Sequence, residues 1–125
     1  MKSRWIEFNS KRILYIDAAN FGEDIVGFEA EMTAVLATLG PEMYQQPVRS
    51  VPVLVDLRNT AMTQRALQIL TERVTDTRAY VRRTAVVGMT GIRRMFLDFF
   101  ARLAGSDTGS FDEPEAAKVW LAEEK

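Results

Sequence analysis

Carboxylates, arginines and threonines are nearly all this chain offers for chemistry. It carries seventeen Asp and Glu, sixteen Lys and Arg, and neither histidine nor cysteine. Lack of histidine removes the usual general base near neutral pH, the usual transition-metal ligand and every Ser-His-Asp or Cys-His arrangement. Lack of cysteine removes disulfides, thiolate nucleophiles, iron–sulfur clusters and thiolate zinc sites. A serine–lysine pair would remain, but Lys2, Lys11, Lys118 and Lys125 all lie near the ends of the chain. The residue types therefore point away from an enzyme, and neither a catalytic residue, a metal nor a cofactor is expected.

Two places still concentrate useful groups. Asp17 and Asp56 stand at or near the ends of strand-like segments, where an open parallel sheet forms its ligand crevice. A response-regulator receiver holds magnesium with such acids, but here Asp17 is followed by Ala18-Ala19 and no lysine occupies the later strands. Each carboxylate is more simply a cap on the turn that follows it. The second place is Gly88-Met-Thr90-Gly91, a glycine turn opening a helix, with Arg93 and Arg94 within a turn of it. Such a turn presents backbone N–H groups to an anion. It lacks the phosphate-loop lysine and the three-glycine dinucleotide pattern, and tight strand-to-helix packing explains its glycines equally well.

These groups need a scaffold, and the hydrophobic pattern supplies one. Residues 51–57 and 81–87 are apolar runs too continuous for a sheet with one wet face, and each leads through a short turn into a helix. Residues 5–8 and 12–17 are strand-like around the polar turn Asn9-Ser10-Lys11. Ile25, Phe28, Met32, Val35, Leu36 and Leu39 recur at helical spacing, with Gly40-Pro41 as the stop. Thr63 can cap a second helix that buries Ala66, Leu67, Leu70 and Val74. A third carries Ile92, Met95, Phe96, Phe99 and Leu103 on one face, with Gly105 as its C′ residue. The stretch Ser106-Asp-Thr-Gly-Ser110 reads as a short linker, with a possible strand at Ser110-Phe111. Asp112, with Glu115 three residues on, reads as the cap of a last helix, stapled by Phe111 and Ala116.

At 125 residues, 47% hydrophobic and 26% charged, this composition fits one globular domain with a core of its own. A formal charge of −1 gives no global field to recruit nucleic acid or an anionic membrane. The arginines at 73, 78, 82, 83, 93, 94 and 102 are opposed in that stretch only by Asp76 and Asp98. They read as a solvated face partly neutralised by the acidic tail, and nucleic acid is not an expected partner because no stacking aromatics interleave them. No apolar run approaches the ~20 residues of a membrane span, and the amino terminus has no signal-peptide core. A cytoplasmic location is expected.

The segments Val53-Leu-Val-Asp-Leu57, Tyr80-Val-Arg-Arg-Thr-Ala-Val-Val-Gly-Met-Thr-Gly91 and Phe111-Asp-Glu-Pro-Glu-Ala-Ala-Lys-Val-Trp-Leu121 resemble the small bacterial STAS-like, or SpoIIAA-like, proteins. The resemblance spans residues 12–121. It implies a single α/β domain with a four- to five-stranded mixed, mostly parallel sheet, about four helices packed mainly on one side, and no established enzymatic activity. Better-known STAS domains are switch modules phosphorylated on a serine in an Asp-Ser-Ser-Gly-Leu turn. Here Asp56-Leu57 is followed by Arg58-Asn-Thr-Ala-Met-Thr-Gln64, so the phosphoacceptor does not carry over, while binding through that turn and its helix does.

The expected function is thus a non-catalytic interaction module contacting a protein partner or a second copy of itself, as a homodimer. Its candidate surface is Arg58, Asn59, Thr60 and Thr63, together with Leu97 and Phe100, which widen the apolar face of the third helix. The alternative is a small apolar or anionic ligand, lipid-like or phosphate-bearing, in the crevice near Asp17, Asp56 and residues 88–94, with Thr90, Gly91, Arg93 and Arg94 as contacts. If Leu97 and Phe100 form an interface, Leu97→Asp or Phe100→Asp leaves a folded, more monomeric protein in light scattering. Unfolding instead would make the residue core.

Overall fold

The computed structural model describes residues 1–88, 102 and 107–123. Five strands lie side by side in chain order: β1 (Arg4–Phe8), β2 (Lys11–Asp17), β3 (Val51–Asp56), β4 (Val81–Val87) and β5 (Asp107–Phe111). β1 pairs antiparallel with β2 through the Asn9-Ser10 turn, and β2 to β5 are mutually parallel. Asn9 and Ser10 both have positive φ, 50° and 66°, the pattern of a two-residue hairpin turn whose twist matches its strands.

The helices are α1 (Ile25–Met43), α2 (Gln64–Thr77) and α3 (Pro114–Ala122). α1 and α2 carry the β2-to-β3 and β3-to-β4 crossovers. Both connections advance the same way across the sheet, so right-handed crossovers place both helices on one face. There Phe28 and Met32 of α1 and Ile69 and Leu70 of α2 close over Leu14, Val53 and Val55. α3 takes the other face, burying Ala117 and Leu121 against Ile13, Leu54, Ala85 and Val87. Every residue of β3 is buried, the cost-free solution for a strand covered on both sides. The expected helix over 92–103 and its Gly105 stop lie outside the described residues.

Three local expectations are corrected. Gly40-Pro41 does not end α1, which runs to Met43 with Pro41 inside its last turn. Glycine has no Cβ to clash with the following proline ring, and Pro41 forfeits only one amide near a helix end. The cap of α3 is Glu113 rather than Asp112, with Pro114 in the first turn fixing the start. The expected linker is instead edge strand β5, which extends the short strand expected at Ser110-Phe111 back to Asp107. Its Gly109 lets aromatic rings lie against the backbone: a Cβ there would meet Phe111 Cε2 at 3.0 Å and Trp120 Cη2 at 3.4 Å.

The cap expected at Thr63 is present, and the structure adds one at Asp24. Thr63 Oγ1 accepts from the Ala66 amide at 3.1 Å, and Asp24, just before α1, accepts from the Gly27 amide at 2.9 Å. β4 ends at Gly88, whose φ of +83° and closeness to Arg58 both demand glycine: a Cβ would lie 2.8 Å from Arg58 Cα. Gly22 has φ +56° but open space around it. Gly88→Ala is therefore expected to cost about 1–3 kcal/mol in urea unfolding, and more than Gly22→Ala. Equal losses would show that backbone conformation, not close approach, sets the cost.

Candidate functional site

Parallel pairing brings the carboxyl ends of β2 and β3 level, with Asp17 opposite Asp56. The loops that leave these strands are joined along their length. The Asn20 amide donates to Arg58 O and the Gly22 amide to Asn59 O, each at 2.8 Å, and the Ala61 amide donates back to Gly22 O at 2.8 Å. Thr60 Oγ1 donates to Ala18 O at 2.6 Å and accepts from the Phe21 amide at 3.2 Å. Asn59 Nδ2 donates to Asn20 Oδ1 at 2.9 Å. Asn20, Gly22 and Asn59 all take positive φ, the left-handed region that asparagine and glycine enter most readily. Two exposed loops thus form one hydrogen-bonded platform.

Beneath it, the Tyr15 hydroxyl donates to Asp56 Oδ2 at 2.6 Å. Arg58 clasps the same carboxylate from above, Nε to Oδ1 at 3.0 Å and Nη2 to Oδ2 at 2.8 Å, and its amide donates to Oδ1 at 3.1 Å. Burial pushes the Asp56 carboxyl up, but the bonds from Arg58 and Tyr15 outweigh it and hold the group below its usual range. Burial, reinforced by the bond to Asp56, raises the Tyr15 hydroxyl to about 12. The hydrogen bond to Asp56 is the main cause that raises the Arg58 guanidinium as well. Asp17, by contrast, faces Lys2 at 3.5 Å and Arg4 at 4.0 Å. Although level in register, the two acids serve different cations, and among the described residues no three acids converge in a metal-holding group.

Of the residues singled out from sequence, Arg58, Asn59 and Thr60 meet in the platform, and Thr63 caps the adjoining helix. Thr90, Gly91, Arg93, Arg94, Leu97 and Phe100 lie outside the described residues. Sequence reasoning missed Tyr15, Asn20 and Gly22. Asn20 and Gly22 carry a local signal, being residue types that favour positive φ, but their pairing with the second loop depends on strand register. An open depression beside the platform is lined, among the described residues, by Gly22, Glu23, Arg58, Asn59, Gly88 and Asp112, with Leu57, Thr60 and Ala61. Arg82 and Arg83 instead serve the end of α3, donating to Glu123 O at 2.7 Å and Trp120 O at 2.8 Å.

Removing the Asp56 charge leaves Arg58 and Tyr15 without their shared acceptor, so Asp56→Asn should cost about 1–3 kcal/mol at pH 7. Because the folded-state pKa is depressed, this stabilisation is present above the unfolded value and lost as pH falls through the folded one, that is, below about pH 4. Wild type and variant unfolding curves should therefore converge in acid. A difference that persists at low pH would assign the cost to packing.

No family model matches the sequence, and no curated protein matches it. Among solved structures, the chain is similar to an uncharacterized protein of the DUF3478 family from Shewanella loihica PV-4, described as having a SpoIIAA-like fold. The likeness has a TM-score of 0.66 at 10% identity and covers 96% of this chain and 92% of the other. With a five-stranded mixed sheet in the order β1 to β5 and three helices among the described residues, the chain has a SpoIIAA-like fold.

Proposed function

We propose that the protein is a non-catalytic interaction module that meets a protein partner, or a second copy of itself, through the joined loops and the adjoining start of α2. The observation that carries this reading is the platform itself: exposed polar side chains on a backbone whose bonds are already made. A surface ordered before contact loses little conformational entropy on binding, so modest contacts yield usable affinity. Asn20, Glu23, Asn59, Thr63 and Arg65 are exposed around it, while Asp56 fixes Arg58 from within. This is also the turn and helix that the STAS resemblance singles out.

The ligand alternative has less support at this end of the sheet. Among the described residues that line the depression, Glu23 and Asp112 face one cation, Arg58, while Arg93 and Arg94, the cations of that reading, lie outside them. The apolar space enclosed between α1, α2 and the sheet amounts to about 50 Å³, far below the ~300 Å³ at which ligand pockets begin.

Native mass spectrometry of protein purified gently from its source cells tests the proposal. A stoichiometric protein complex or a dimer that Glu23→Arg disrupts, at unchanged thermal stability, is the expected result. A single bare chain, or a complex indifferent to Glu23→Arg and to Asn59→Gly, would overturn it, and a small-molecule adduct would revive the ligand reading.

A further inference from the structure

The opposite pole of the sheet, some ~20 Å away along the seven residues of β2, has different chemistry. The β1–β2 turn, the connector after α1 and the starts of β3 and β4 enclose an open depression of about 470 Å³, lined by residues that include Trp5, Lys11, Arg12, Gln46, Ser50 and Arg82. Its volume falls within the ~300–1,000 Å³ of small-molecule sites. Among the described residues its charged lining consists of cations, brought together from a hairpin and a strand seventy residues further along the chain.

Two of these groups are already held in place. Arg12 stacks its guanidinium over the Trp5 ring, 4.4 Å from the centroid, and pairs with Glu42 at 2.6 Å. Arg82 Nη2 donates to Glu123 O at 2.7 Å. Fixed guanidinium groups suit an oxyanion because little side-chain entropy remains to be lost. The second observation is independent of charge: Trp5, which lines the depression, has a buried Nε1 donor with no hydrogen-bond partner among the described residues. Such orphans are rare and costly, so an oxygen acceptor that reached this one would be held by it.

We infer that this depression binds a small oxyanion, a phosphate or phosphomonoester, between Lys11, Arg12 and Arg82. Glu42 competes with the ligand for Arg12, so its removal strengthens binding. The site lies at the pole away from the interaction platform and does not depend on that reading.

The chain has two tryptophans, so its indole N–H region should show two signals, and Trp120→Phe identifies that of Trp5. Inorganic phosphate, titrated at constant ionic strength against chloride, is expected to shift the Trp5 signal saturably. Arg12→Gln and Lys11→Gln should each weaken binding at least tenfold, and Glu42→Gln should tighten it. Glycerol phosphate and vesicles of phosphatidic acid in phosphatidylcholine then distinguish a soluble ligand from a lipid headgroup, and tighter binding of either supports the site. A shift no different from that with chloride would overturn the inference. So would a saturable shift unchanged by Lys11→Gln, a surface substitution that leaves the Trp5–Arg12 stack intact.

Discussion

A carboxylate at the end of a strand buried on both faces must have its charge answered within the protein, and Asp56 is 1% exposed. The answer comes from two directions. Tyr15 reaches it across the sheet, and Arg58 folds back from the turn that Asp56 itself begins. Satisfying the carboxylate therefore fixes the path of the β3–α2 loop. That loop in turn supplies the carbonyls of Arg58 and Asn59 on which the β2–α1 loop is built. Gly88 completes the arrangement by letting the end of β4 pass against the Arg58 backbone. One buried charge thus organises three strand ends.

The sheet is chemically asymmetric from pole to pole. At the carboxyl end, acids surround a clasped arginine and the backbone supplies most of the organisation. At the amino end, cations from separate elements face a common opening beside an aromatic ring. A net charge of −1 does not report this separation, because it sums over the whole chain.

Much of the fold was legible in the sequence because the central strands have no solvent face to obey. Residues 51–57 and 81–87 read as buried strands from apolar continuity alone, and Thr63 read as a cap from its type and position. Of β5 only the end, Ser110-Phe111, was legible: the Asp, Thr and Gly before it lie in an edge strand released from the burial rule that makes strands readable, and Gly109 is there for the rings of Phe111 and Trp120. The turn at Arg58, Asn59 and Thr60 could be located, but not its union with Asn20 and Gly22. Those bonds join residues 37 to 42 apart, and only the register of β2 against β3 brings them together. Tyr15 was hidden for the same reason, its partner lying 41 residues away.

The placement of α3 bears on how the molecule is made. This helix lies after the five strands in the chain, yet it covers Ile13, Leu54, Ala85 and Val87 on one face of the sheet. During synthesis the face built from the earliest strands stays greasy and uncovered until residues 114–122 leave the ribosome, at roughly 5–20 residues per second. The nascent chain thus passes through a half-clad stage at which its sheet is open to wrong partners, and α3 is the helix that ends that exposure for the residues it covers.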